Sequence, residues 1–223
     1  MEHATHMDAD GNTLADYPRP SVAVDTAVLT LDPDLGLAVL QVRRSSGPGW
    51  ALPGRILRER ETLAAAVEIS LTKKANVCGL RPRQLHVFDD PDRDERGWVL
   101  SVAHVAVVPV NRVADRFPAT TRLMPVESPG RLPYGHENII DRAVADLRAR
   151  YLDRPDPDLL LGAEFTLREL RQAHDIVRGH RWQPDNFRRA MLPHLIETNT
   201  RVSVGRGRPA EVFRRRERDP AEG

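Results

Sequence analysis

Ser70, Lys73 and Lys74 stand at i, i+3 and i+4, so on a helix their side chains share one face. That face carries a hydroxyl and two ammonium groups, which repel a divalent cation and attract an anion. The pair is conspicuous because Lys73 and Lys74 are the only lysines among 33 basic residues. A second group lies far downstream. Asn186, Arg188 and Arg189 open a helical pattern, and amide and guanidinium forks at a helix start are the donors that reach base edges and phosphates of a duplex. Gly205-Arg206-Gly207-Arg208-Pro209 adds a basic loop with Arg206 and Arg208 at its tip. From Arg178 to Arg218 there are eleven arginines against four acids, whereas residues 1–149 hold 18 basic and 20 acidic residues. The positive field therefore belongs to one end of the chain, as expected for a double-stranded DNA binder. Arg214-Arg215-Arg216 reads as a solvated basic tail.

The elements that must hold these groups follow from periodicity. Val22–Leu31 and Leu35–Arg43 are β-branched runs separated by Asp32-Pro33-Asp34, which predicts a hairpin. Trp50-Ala51-Leu52-Pro53-Gly54 is a strand and turn. Leu63, Ala66, Val67 and Leu71 then repeat at helical spacing and place the lysine face opposite an apolar one. Gln84–Phe88 is a short strand, and Asp89–Arg96 is a loop with five acids in eight residues. Trp98–Val110 is the strongest strand. Glu137–Leu152 has a helical stripe at Ile140, Ala143, Val144, Leu147 and Tyr151. His136, just before it, is expected to serve as a cap or packing residue rather than a base.

Asp153-Arg154-Pro155-Asp156-Pro157-Asp158 breaks the pattern and marks a linker at 153–158. Beyond it Thr166 and Glu169 form a capping-box pair, and Gly179 closes the helix they start. A second helix is predicted from Asp185 to about Glu197, with Phe187, Met191 and Leu195 as its buried stripe. Two strands, Arg201–Val204 and Ala210–Phe213, flank the basic loop as a wing. The free N–H groups at the start of the first helix put Thr166 in position to meet a phosphate.

Composition sets the outer limits. A chain of 223 residues holds one large or two modest domains. It has no run of 18 apolar residues and no N-terminal apolar segment, so neither a membrane span nor export is expected. Cys78 is the only cysteine, which excludes an internal disulfide and suits a reducing cytoplasm. Residues 1–20 read as a flexible N-terminus and 217–223 as a tail.

The stretch Gly49–Val77 resembles the Nudix box. With Glu61 matched, the Gly of that pattern falls on Arg55, its Arg-Glu pair on Ile69-Ser70, its Glu-Glu pair on Lys73-Lys74 and its closing Gly on Asn76. The resemblance implies a Nudix-like α/β/α sandwich over 21–152 whose metal-binding carboxylates are gone, hence no catalysis and no metal. Phe165–Leu170, Asp185–Arg189 and Gly207–Ala210 are similar to signatures of the Nudix-related transcriptional regulators of NAD metabolism. That likeness implies a C-terminal winged helix-turn-helix domain over 159–216 and a homodimeric repressor on a palindromic operator. It also implies that the Nudix-like domain senses ADP-ribose or another NAD-related nucleotide. Trp50, Arg55, Glu61, Lys73 and Lys74 are the expected ligand contacts; Thr166, Asn186, Arg188, Arg189, Arg206 and Arg208 are the expected DNA contacts. The competing reading is a nucleoside-diphosphate pyrophosphohydrolase with an appended nucleic-acid-binding domain.

Overall fold

The computed structural model describes residues 6–203 and 209–216. Its first part is a seven-stranded sheet in which β1 (Ser21–Asp32) is central. β1 pairs antiparallel with β2 (Gly36–Arg43) and parallel with β6 (Val99–Val107). β3 (Trp50–Ala51) and β7 (Thr121–Pro125) extend β2, β4 (Gly54–Ile56) pairs with β1, and β5 (Arg83–Phe88) forms the edge beside β6. The period-two side-chain alternation of a strand sorts β1 and β2 into two cores. Val24, Val28, Ala38, Leu40 and Val42 face α1 (Leu63–Ala75), while Ala27, Leu29, Leu37 and Val39 face α2 (His136–Arg150). Helices on both faces of one sheet make the expected α/β/α sandwich.

α1 begins where the apolar spacing begins. Thr62 caps it by accepting from the Ala65 amide, and Asn76 ends it at φ 55°. That left-handed turn occupies the box position where the Nudix pattern has glycine, and asparagine is the next residue to tolerate it. The short strand β3 falls where a strand and turn were read at Trp50–Gly54, but β4 and β7 escaped the sequence reading, since three to five residues show no usable alternation.

The C-terminal part has a three-stranded sheet, β8 (Glu164–Thr166), β10 (Ala210–Arg215) and β9 (Leu195–Val202), with α3 (Leu167–Arg178) and α4 (Pro184–Met191) packed on it. Phe165, Leu170, Phe187, Met191, Leu195 and Phe213 form its core. The expected helix to Glu197 stops at Met191 instead, followed by one 3-10 turn over Leu192–His194. Pro193 has no N–H to donate to the Arg189 carbonyl, so the α-helical ladder stops there. Leu192 keeps helical angles (φ −53°, ψ −39°), and the chain turns extended at Leu195, which opens a strand. Leu195 is buried as expected, but from β9.

The two parts are not joined by a free tether. Val177 of α3 belongs to the core containing Tyr151 and α2, and Arg148 Nε donates to the Val177 carbonyl at 3.1 Å. Asp156, expected in a polar linker, is fully buried. Arg215, expected in a solvated tail, donates to the Asp156 carboxylate and lies over the Phe165 ring. Among the described residues, no helix is long and apolar enough to cross a membrane.

Candidate ligand pocket and nucleic-acid interface

Asp25 lies on β1 as the one acid in an apolar run, and it organises the pocket. It is 6% exposed, accepts from Ser101 Oγ at 2.6 Å and sits 3.2 Å from His136 Nε2. The Leu52 amide donates to His136 Nδ1 at 3.0 Å, which leaves the ring proton on Nε2, facing the carboxylate. Burial pushes the Asp25 carboxyl up, but His136, Ser101 and Arg93 outweigh it and hold the group below the ordinary carboxylate range. Gly54 explains itself here. A Cβ on it would fall 2.0 Å from Asp25 Oδ1, so only glycine lets β4 pass over the carboxylate.

The cavity at Asp25, of about 110 Å³, is lined by Arg43, Arg44, Arg55, Arg93, Arg96 and Lys74 against Asp25 and Asp94 as the only carboxylates. The Lys74 ammonium turns back to the Gly54 carbonyl, and burial pushes its pKa down, with Arg55 and Arg96 adding to the fall and Asp25 opposing it. Arg96 grips Asp94 with two bonds of 2.7 and 2.8 Å, a pairing that lowers the Asp94 carboxyl and raises the guanidinium. Tyr134 stands between Arg96, 4.1 Å from its ring centroid, and Arg44, which also donates to its hydroxyl at 2.9 Å. A second cavity of about 480 Å³ shares Arg44, Arg93 and Tyr134 as a wall and adds Trp50 and Arg131. Two adjoining cavities with a basic, aromatic partition suit an elongated anion carrying planar rings.

Of the five ligand residues named from sequence, Arg55, Glu61, Lys73 and Lys74 meet in one cavity and Trp50 stands apart. Arg55 and Lys74 line the cavity at Asp25, and Trp50 lines its neighbour beneath Arg122 and Arg43. Glu61 and Lys73 border a separate cavity of about 260 Å³ beside Ser70, whose wall Arg55 and Lys74 also share. Glu61 is already engaged, accepting from Arg55 at 2.8 Å and from the Arg58 amide at 2.9 Å. Ser70 is buried and donates to the Val67 carbonyl of its own helix. Sequence reading passed over Asp25, Arg44, Arg93 and Arg96. A lone acid inside the strand VAVDTAVLTL was the available signal for Asp25. The acid-rich loop after β5 enters the pocket mainly by its arginines, which its charge count conceals.

A hydroxyl and two ammoniums do not fit Mg²⁺, which takes oxygen ligands from carboxylates. Among the described residues, no group of three or more His, Cys, Asp and Glu side chains could hold a metal ion.

In the C-terminal part α4 buries Phe187 and Met191 and exposes Asn186, Arg188 and Arg189. Those three side chains make no ion pair among the described residues, so their donors face solvent. Asp175 Oδ1 accepts from the Trp182 amide at 2.8 Å and sets the turn from α3 into α4, with Gly179 at φ 73° as the helix stop. Thr166 corrects the sequence reading. It is 3% exposed, and its hydroxyl and amide both bond to Glu169 in the capping box. A carboxylate over that helix end repels phosphate, so Thr166 is a cap here and not a phosphate contact. Arg206 and Arg208 lie outside the described residues.

Known proteins agree with this architecture. Residues 159–215 match the family of the NrtR DNA-binding winged helix domain. Over 210 residues the chain is 27% identical to the ADPR responsive transcriptional repressor NtrR of Acinetobacter baylyi, covering 90% of this chain and 84% of that protein. The crystal structure of Shewanella oneidensis NrtR complexed with a 27mer DNA matches with a TM-score of 0.73 and 29% identity, over 87% of this chain and 93% of that one. The NUDIX domain of the same Shewanella protein complexed with ADP ribose matches with a TM-score of 0.52 and 25% identity, over 62% and 95% of the two chains. With a sandwich built on a Nudix-box helix and an NrtR-type winged helix behind it, the chain is similar over most of its length to Nudix-related transcriptional regulators.

Proposed function

We propose that the chain is a transcriptional repressor that binds double-stranded DNA through α4 and releases it in response to ADP-ribose or a related nucleotide. The observation that carries this is the exposed, unpaired set Asn186, Arg188 and Arg189 on a short helix anchored from behind by Phe187 and Met191. Asn186 and Arg189 are one turn apart, the spacing at which two side chains reach adjacent base pairs in a major groove. Eight residues of recognition helix cover few base pairs, so the active form is a homodimer on a palindrome. The operator belongs to genes of NAD biosynthesis, by the likeness drawn from the sequence, and the protein acts in the cytoplasm.

The nucleotide binds without a metal. In the cavity at Asp25 the positive charge comes from Lys74 and the surrounding arginines, which take the place of a cation at the diphosphate. With Ser70, Lys73 and Lys74 on the box helix, the domain does not hydrolyse that diphosphate.

The deciding experiment is a titration of the chain's own promoter with an Arg188→Ala/Arg189→Ala variant shown to be folded. Affinity should fall at least ~10-fold and the salt slope by about two units. Equal affinity would remove α4 as the reader. Calorimetry with ADP-ribose in excess EDTA tests the pocket, where the expected result is heat unaffected by chelation.

A further inference from the structure

Asp156 is the meeting point of three segments. Its carboxylate accepts from Tyr151 Oη at 2.7 Å, from the Leu160 and Leu161 amides at 2.8 Å each, and from Arg215. Tyr151 ends α2 and so belongs to the sandwich. Leu160 and Leu161 begin the C-terminal part, and Arg215 closes β10 of the winged helix. Arg215 also donates to the carbonyls of Asp156, Gly162 and Leu161 at 3.1–3.2 Å, so one guanidinium holds both the carboxylate and its loop. The Asp156 amide donates toward His174 Nε2 of α3. From His174 the ring contacts continue to Phe187 of α4, at 5.1 Å between centroids.

The other end of the same line lies in the ligand pocket. α2 starts at His136, which is in the pocket wall beside Asp25, and ends at the residue before Tyr151. Fifteen residues of helix make a rod of about 22 Å, too short and too well packed to bend. A shift of His136 or Tyr134 on filling the pocket therefore reaches Tyr151 as a movement of the whole rod. Hydrogen bonds to a buried carboxylate tolerate little displacement, so the Tyr151–Asp156–Arg215 contact is either made or broken.

We propose that Asp156 is the positioning residue through which occupancy of the pocket is read by the winged helix. With the contact made, α3 and β10 are held against the sandwich in one orientation; with it broken, α4 loses its fixed angle to its twin in the dimer. Asp156 touches neither nucleotide nor DNA, and it sets the coupling between them. This rests on the nucleotide-responsive repressor reading above.

The test uses the full chain, its promoter duplex and ADP-ribose, with Asp156→Asn and Tyr151→Phe variants. Each variant's DNA Kd is measured with and without saturating ADP-ribose, and the ratio is compared with the parent's, so that changes in absolute affinity cancel. The ratio should fall at least about fivefold toward one in Asp156→Asn and less in Tyr151→Phe, while calorimetric affinity for ADP-ribose stays within about threefold of the parent. In the parent, ADP-ribose should also speed hydrogen exchange at the Leu160 and Leu161 amides. If Asp156→Asn does not fold, Tyr151→Phe, which removes a single hydroxyl, carries the test alone. A parent that binds and responds to ADP-ribose, with an unchanged ratio in every folded variant, overturns the role of Asp156 and leaves the nucleotide reading standing. A parent that gives no heat with ADP-ribose overturns that reading and the coupling with it.

Discussion

Asp25 and Asp156 are both buried carboxylates, one in the ligand pocket and one at the junction, and their partners differ in kind. Asp25 is held by Ser101 and His136 and lines a cavity with Lys74, Arg93 and Arg96 around it. Its neighbours are side chains, several of which also face the space a ligand would fill. Asp156 is met by two backbone amides, a hydroxyl and a guanidinium, with 0% exposure. A buried charge surrounded by mobile donors can exchange partners, whereas one wired to backbone fixes the chain around it. The pocket is built to be reorganised gradually, and the junction to hold firmly until it gives way as a unit.

The contrast is broken most strongly at the junction. Asp156→Ala strands Arg215 and two half-buried amides around a fully buried site, and denaturant unfolding should show a loss of about 3–5 kcal/mol. A loss near that of an exposed surface residue would mean the junction contributes no rigidity. The next effect is one of pH. Burial pushes His174 down to about 4 from 6.5, so the fold keeps it neutral while the unfolded chain takes up a proton. Its contribution is full above pH 6.5 and is lost as pH falls toward 4, by about 3 kcal/mol over that window. Burial raises the Asp158 carboxyl nearby, which works in the opposite sense, so the comparison is between the pH profiles of the parent and His174→Gln. Identical slopes would rule out His174 as the source. The smallest effect belongs to the pocket. Gly54→Ala drives a methyl into Asp25 and should destabilise by about 1–3 kcal/mol, with loss of ADP-ribose heat. Retained heat at full strength would mean the ligand does not use the space around Asp25.

The sandwich was readable because its long elements obey simple periods. β1, β2, β6, α1 and α2 each run far enough for β-branched runs or helical spacing to emerge, and in the C-terminal part the caps Thr166 and Gly179 fix both ends of α3. α4 misled by its end, because Leu195 continues the helical stripe of Phe187 and Met191 while Pro193 has already turned the chain into β9. The lysine face was legible as charge, but which lysine enters the cavity was not. Helical spacing puts Lys73 and Lys74 side by side, and only the path of β4 decides that Lys74 reaches the Gly54 carbonyl. Arg215 was read as solvated because it sits in a run of arginines, and Asp156 was read as linker because its stretch is polar and twice broken by proline. Their pairing spans 59 residues and exists only once β10 has closed against β8.

α3 belongs to two cores at once, with Val177 packed beside Tyr151 and Leu170 packed beside Phe187 and Met191. The boundary that sequence draws at 153–158 is therefore not a boundary in folding. Opening either core exposes one side of α3, so its central amides exchange with solvent only when both halves come apart together. Cutting the chain at that boundary would leave a raw apolar surface on each piece. Slow exchange at the centre of α3 that vanishes on such a cut is the signature to look for.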